Sequence, residues 1–558
     1  MVSPRPMVRS LLLLALVLLP GSALAQREGL LQIGSPLSDF VRRQATLGTV
    51  PQFSADALPI PTGAATALVD SIAADPAALA ALSPADRQLV ERYRSREPAS
   101  AFGWTPPYGF YGDGVSPVYV EGDGYALELA PVIGASIGPT QRTDRDERDP
   151  SAPVYRNTRG FRTAGRLGHL YFEARATENQ RRPAFYERDA ASATAPRYGF
   201  VKRLGDDAYD YFTAEGGVGY RDRFVDVRFA RDRNQWGPGM GTLFLSNYAA
   251  PYDHLRIGAQ AGPLHYTMAV ARLTTPDRDS RGRDSVLPSK YAAFHRVSIE
   301  AGRFQAEAFE AVVFQDDTLT GNRRGPEIGY LNPVIFYRAV ESELGSGDNA
   351  LIGLGAAVRP VDGVRLYGQV LIDEFVADRF FEDSWVNKWG LLAGAHIVDL
   401  GLPGLEARAE YARLRPYLYG HRSENSAYVH YNDVLGHPIG PNADDLSLFV
   451  RYRPSARVTT QVLATRARRG RDPDSLYVGA DPRVSYDERA SSVSPTFDGV
   501  RQSEWLIEGS LAFELLPRLA VEAAGLYRAV DDAERGLDRA AAVTVGLRWE
   551  LPFQSVRY

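Results

Sequence analysis

The chain has 558 residues, a net charge of −5 and no cysteine. This excludes disulfides, thiolate metal sites and lipid attachment at a cysteine, and argues against a nucleic-acid partner. With 29 Tyr and 24 Phe against 4 Met, and with 51 Gly, the balance is that of a strand-rich chain with many turns.

The N-terminus reads as a secretory leader. Arg5 and Arg9 precede a short apolar run, Leu11 to Leu19, and Ala23-Leu24-Ala25 forms a small-x-small cleavage site, so the mature chain is expected to begin at Gln26. Loss of Arg5 and Arg9 takes the net charge from −5 to −7. The rest of the chain has no run of about 18 apolar residues, so no membrane-spanning helix is expected.

Residues 26–114 read as a periplasmic helical region and connector. Ser38–Thr46 places Phe40, Val41 and Ala45 on one side. Asp75–Tyr93 is rich in Ala and Leu, and Ser83-Pro84 within it has the form of a helix cap followed by proline at the first helical position. Thr49–Pro61 reads as a proline-containing connector.

From residue 115 to 558 the apolar period changes to two. Val543, Val545, Leu547, Trp549, Leu551 and Phe553 alternate with polar residues. Val225, Val227 and Phe229 flank Asp226 and Arg228, Val364–Ile372 alternates in the same way, and Leu405, Ala407, Ala409 and Tyr411 flank Glu406, Arg408 and Glu410. One face is apolar and the other is charged, which suits strands with lipid outside and a wet or ion-paired lumen inside.

Short turns are expected near Arg221, Gly262, Gly302, Asp362, Gly401, Ser455 and Pro517. Long polar stretches separate them, among them Asp232–Pro251, Gln315–Asn349, Leu414–Asp445 and Val530–Asp538. The alternation predicts about fifteen strands from Tyr209 onward, preceded by Tyr125–Ile137, Tyr155–Thr163 and Arg166–Thr177. The expected fold class is therefore an all-β transmembrane antiparallel β-barrel of about eighteen strands, with sixteen as the alternative and both ends periplasmic. The final strand is expected to stop near Phe553 or to change register, because Tyr558 is out of phase with it. The Asp-rich segments Asp144–Asp149 and Asp279–Asp284 lack a calcium-loop pattern and read as solvated.

Three segments resemble the capsule assembly Wzi family of outer-membrane proteins. The first is Arg231–Pro251, with Trp236-Gly237-Pro238-Gly239, the apolar run Leu243-Phe244-Leu245 and Ser246-Asn247. The turn has Gln235-Trp236 where the family commonly doubles the Trp. The others are Glu327–Val340, continued by Gly347–Leu351 and Gly368–Phe375, and Arg415–Gly440. The resemblance implies an eighteen-stranded barrel with a periplasmic helical element, acting as a surface lectin that anchors or organises capsular polysaccharide.

Two loops hold the candidate polysaccharide-binding residues. Trp236, fixed by the Gly-Pro-Gly turn, offers a face for a sugar ring and Asn247 offers hydrogen bonds; in the competing reading Trp236 wedges into the lumen and stabilises its loop. Tyr417, Tyr419, His421, Tyr428, His430, Tyr431 and Asn432 mix rings, imidazoles and an amide, which suits either wet ring-shaped ligands or loop packing. The histidines lack metal-site spacing, and neither metal nor cofactor is expected. Asp226, Arg228, Glu406, Arg408 and Glu410 are expected to be lumen charges paired across strands. No nucleophile elbow or phosphate loop is present, so no catalysis is expected. The expected protein is a non-enzymatic, monomeric outer-membrane lectin in contact with lipid and polysaccharide. A porin-like sugar channel is the alternative, and a barrel-type hydrolase is a weaker third reading.

Overall fold

A computed structural model of the protein describes residues 29–552, apart from 95–110, 112–113, 123, 144–151, 186–193, 206, 276–287, 316–324, 326, 335, 345–346 and 380–381. The leader reading (1–25), the Asp144–Asp149 and Asp279–Asp284 segments and the tail from Phe553 to Tyr558 lie outside the described residues.

Among the described residues, eighteen long antiparallel strands close into one barrel. They are β1 (Tyr125–Gly138), β2 (Val154–Leu167), β3 (Leu170–Arg182), β4 (Ala208–Arg221), β5 (Val225–Asp232), β6 (Tyr252–Ala261), β7 (Leu264–Thr274), β8 (Ser289–Ala301) and β9 (Phe304–Gln315), followed by β10 (Asn349–Val361), β11 (Val364–Glu374), β12 (Lys388–Val398), β13 (Leu405–Leu414), β14 (Ala443–Ser455), β15 (Val458–Arg471), β16 (Val500–Leu516), β17 (Leu519–Asp532) and β18 (Gly536–Trp549). The barrel closes where β18 meets β1, with Val545 opposite Ile137 and Trp549 opposite Ile133. Closure pairs every neighbouring ladder, as hydrocarbon surroundings require. The outward positions of the period-two pattern are exposed and apolar: Phe229, Leu354, Leu448, Val543 and Val545 face outward, while Arg228, Arg365, Glu406 and Glu410 face inward.

Two connections differ from expectation. β2 and β3 meet at Gly168-His169, inside the expected strand Arg166–Thr177. Gly168 has φ of 58°, the left-handed conformation that a two-residue turn needs and glycine takes without strain. The expected long stretch Val530–Asp538 is a turn of three residues, because β17 runs to Asp532 and β18 resumes at Gly536. β18 ends at Trp549. Glu550 has a positive φ and Leu551 is buried, so the regular alternation ends at Trp549.

The N-terminal helices lie at the short-turn end. Helix α1 (Pro36–Leu47) starts at Ser35, whose hydroxyl accepts from the Ser38 amide, and stops at Gly48 with φ of 87°. α2 (Thr62–Ala73), α3 (Pro76–Ala81) and α4 (Pro84–Tyr93) follow, with Asp75 and Ser83 capping the last two. Phe40, Val41, Val69, Ile72, Leu89 and Val90 make one core. The Arg43 guanidinium reaches Asp86 of α4 and Asp399 of the β12–β13 turn, both at 2.9 Å, and Arg92 pairs with Glu514 of β16 at 2.8 Å. The caps make a modest prediction: Ser83→Ala leaves the Asp86 amide unpaired and should cost about 1 kcal/mol, visible as a lower thermal midpoint.

Within the β9–β10 connection, the helix Tyr337–Leu344 lies against the outer wall. The outward-facing Glu310 carboxylate accepts from the backbone amides of Tyr337 and Arg338, at the start of helix α5 (Tyr337–Leu344). The Tyr337 ring stacks on His295 at 4.2 Å.

Candidate functional site

Three segments enter the lumen and pack on one another: the connector 49–61 from the short-turn end, and loops 233–251 and 415–442 from the long-loop end. Ala57 and Leu58 form a two-residue antiparallel ladder with Trp236 and Gln235, so the connector and the upper loop share hydrogen bonds inside the barrel. The Gly237 amide donates to the Asp56 carbonyl at 2.8 Å. Gly237 has φ of 128°, and a Cβ there would lie 2.4 Å from Gln369 Nε2, so both conformation and space demand glycine.

Wall residues hold these segments by their backbones, which satisfies buried amides and carbonyls. The Glu410 carboxylate accepts from the Met240 and Gly241 amides at 2.8 and 2.7 Å and from the Tyr367 hydroxyl at 2.9 Å. Gln369 Oε1 accepts from the Leu243 amide, and Asp373 from the Tyr419 amide, both at 3.0 Å. Lys290 Nζ donates to the carbonyls of Glu424 and Ala427. Arg228 and Arg256 both donate to the Pro59 carbonyl, at 2.9 and 3.0 Å. Arg365 donates to both Asp56 oxygens, at 3.0 and 2.6 Å, and Gln305 donates to the second at 2.9 Å. Burial would raise the Asp56 carboxyl, but the Arg365 guanidinium holds it below the usual range.

The predicted site residues divide by burial. Trp236 is fully buried, with its ring edge-on to Phe294 and Phe309 at 6.2 and 6.3 Å. Tyr419 and Tyr428 are buried, and their hydroxyls clamp the loop by donating to the Leu243 and Phe244 carbonyls. Tyr417 is buried against Gly479 and Tyr477, and His430 Nδ1 accepts from the Thr274 amide at 3.0 Å. These five rings therefore have no free face for a sugar: the loops fold inward, and their aromatics seal the plug. Burial also lowers His430 to about 3 and His421 to about 4, so both imidazoles are neutral at pH 7. Asn247, His421, Tyr431 and Asn432 are partly exposed.

The lumen charges face inward as expected but are not solvated and do not simply pair across strands. Arg228, Glu406, Arg408 and Glu410 are buried. Glu406 pairs with Arg408 two residues along its own strand and with His396 across at 3.1 Å. Arg228 and Glu410 anchor plug backbone, and half-buried Asp226 accepts from the Tyr171 hydroxyl at 2.7 Å.

At the long-loop end Asn247, Tyr431 and Asn432 come together around residues 194–200. Asn432 donates to the Thr194 hydroxyl at 2.7 Å, the Asp433 carboxylate accepts from the Arg197 amide at 2.8 Å, and Arg197 lies over the Tyr248 ring at 5.6 Å. Burial pushes the Asp433 carboxyl up to about 7. Tyr248, Arg197 and Arg233 escaped the sequence reading. Tyr248 follows Asn247 directly, which was the one local signal; the two arginines carry no motif.

The fold and its plug define an outer-membrane β-barrel whose lumen is occupied by its own chain. Residues 342–529 match the family model of the capsule assembly protein Wzi. Among solved structures the chain is similar to Wzi of Escherichia coli, an outer membrane protein involved in group 1 capsule assembly and a carbohydrate-binding β-barrel. Identity is 13%, coverage is 94% of this chain and 100% of that one, and the TM-score is 0.51. OccK7 (OpdD) of Pseudomonas aeruginosa is 12% identical over 77% of this chain and 99% of its own, with a TM-score of 0.41. No curated protein matches.

Proposed function

We propose that the protein is a non-enzymatic surface lectin that binds capsular or other surface polysaccharide at its long-loop end and helps hold it to the cell. In this reading the short turns and residues 26–114 face the periplasm, and residues 115–558 form the membrane unit. One observation carries the choice of lectin over channel: Trp236, Leu243, Phe244, Tyr419 and Tyr428 form a continuous buried cluster across the lumen, built from both loops and bonded to the connector. A porin needs an aqueous path, whereas a lectin needs rigidly held loops with polar groups and rings at their outer surface. The half-buried Asn247, Tyr248, Tyr431 and Asn432 supply such a surface, held by the buried residues beneath.

A strain lacking this chain should shed polysaccharide that the parent retains, measured as cell-bound against released sugar. Restoring the chain with Asn247→Ala and Tyr248→Ala should leave barrel assembly intact and retention reduced severalfold. Wild-type retention by the double variant would remove these residues from the binding surface. Equal retention with and without the chain would end the lectin reading.

A further inference from the structure

The lumen is filled unevenly. Plug segments crowd the wall from β5 to β13, and a cavity of about 380 Å³ stays open along β2–β4 and β14–β16. Its inner side is made by Leu30–Gly34, by Asp39 and Arg42 of α1, and by the loop from Met240 to Tyr248. That volume is in the range of small-ligand sites, roughly 300–1,000 Å³.

Its charge is unbalanced in a specific way. Arg42 is 9% exposed and makes no side-chain hydrogen bond or ion pair among the described residues. The acids whose fields reach it are committed elsewhere. Asp39 pairs with Arg451 at 2.8 Å and Arg453 at 3.3 Å, Glu406 holds Arg408 and His396, and Asp56 holds Arg365. Arg175, on the same cavity, donates to the Glu550 carbonyl at 2.8 Å and has no carboxylate partner among the described residues. Burial lowers Arg42 to about 10, which still leaves it charged at neutral pH. At the loop end burial would raise the Tyr198 phenol, yet Arg181, which donates to it at 2.7 Å, and Arg197 bring it below its ordinary value. A buried guanidinium without a counter-charge is costly, and the cost is relieved when an anion enters. Guanidinium groups bind carboxylates through paired N–H donors, and the Tyr248 ring and the Asn247 amide, on the same cavity, suit a sugar ring and its hydroxyls.

We propose that this cavity is a binding subsite for an acidic saccharide, whose carboxylate is received by Arg42 with Arg175 supplying a second positive charge. The inference rests on the polysaccharide reading above and names the class of sugar.

The test is calorimetric titration of the full-length protein in detergent with glucuronate, glucose and inorganic phosphate at equal ionic strength. Wild type should bind glucuronate at least tenfold more tightly than glucose or phosphate. Arg42→Met, which keeps the length and removes the charge, should erase the preference over glucose. Its thermal midpoint should equal or exceed that of wild type, because no ion pair is lost; a structural arginine would lower it. Equal binding of glucuronate and glucose, or an unchanged preference in Arg42→Met, would overturn the acidic subsite while the lectin reading stands if cells still retain polysaccharide. Phosphate binding as tight as glucuronate would overturn the saccharide part in favour of a general anion site. Absence of sugar binding together with unaltered polysaccharide shedding in the deletion strain would overturn both.

Discussion

Asp56→Ala protein in a planar bilayer is expected to pass steady current where the wild type stays closed. Asp56 is buried inside the barrel, and its two oxygens take both terminal nitrogens of Arg365, with Gln305 behind them. Removing the carboxylate leaves the Arg365 guanidinium buried and uncompensated, a change that costs roughly 3–5 kcal/mol. The cost falls on the connector, because β11, which carries Arg365, is held on both sides by its ladders. The connector's other ties to the wall are mostly through its backbone: the Gln52 and Phe53 amides on Glu300 at 3.0 and 3.3 Å, and the Pro59 and Ala57 carbonyls on Arg228 and Arg256; its ladder with Trp236 and Gln235 joins it to the upper loop, which is itself part of the plug. Acid should act in the same direction on the wild type. The Asp56 carboxyl is held below its ordinary value in the folded protein, so its stabilisation is complete above the unfolded pKa of about 3.9 and is lost as pH falls through the folded value. Channel activity should therefore appear in wild type only well below pH 4. A silent Asp56→Ala variant, with unchanged hydrogen exchange across 52–61, would show that this pair does not secure the plug.

The barrel was legible because period-two alternation is a local property and each strand carries its own copy. Fifteen strands from residue 208 onward and three before it agree with the count read from turn spacing. The β2–β3 and β17–β18 turns were misplaced for a shared reason: strands keep pairing through polar residues near the barrel ends, so composition marks neither turn. The direction in which a loop folds was not legible. Asp232–Pro251 is polar at its edges, and nothing periodic says whether it rises outward or drops into the lumen. Leu243-Phe244-Leu245 was the available signal, since three consecutive large apolar residues in a water-facing loop would be unfavourable. Arg365 and Asp56 are 309 residues apart, and spacing along the chain cannot join them.

Trp236→Ala should be the most damaging single change in the upper half of the plug. Its ring sits between Phe294 and Phe309 with the Arg256 guanidinium 5.8 Å from it, and its backbone pairs with Ala57 on one side and Leu245 on the other. Truncating a fully buried tryptophan costs about 3–5 kcal/mol, because the surroundings collapse only in part. The loss should be local. The ladders of β8 and β9 on which the ring rests do not depend on it, so their amides should keep wild-type hydrogen exchange while those of Trp236, Phe244 and Leu245 speed up by two orders of magnitude or more. Trp236→Phe, which keeps an aromatic wedge, should lie between the two. Polysaccharide retention should fall in Trp236→Ala although the ring has no exposed face, since Asn247 and Tyr248 follow the same loop. That outcome separates a residue that shapes the surface from one that touches the ligand: Asn247→Ala should reduce retention with no change in exchange at Leu245. If Trp236→Ala instead binds polysaccharide normally while its loop exchanges freely, the binding surface does not depend on the inward fold of this loop, and the loop around His421 to Asn432 must carry it alone.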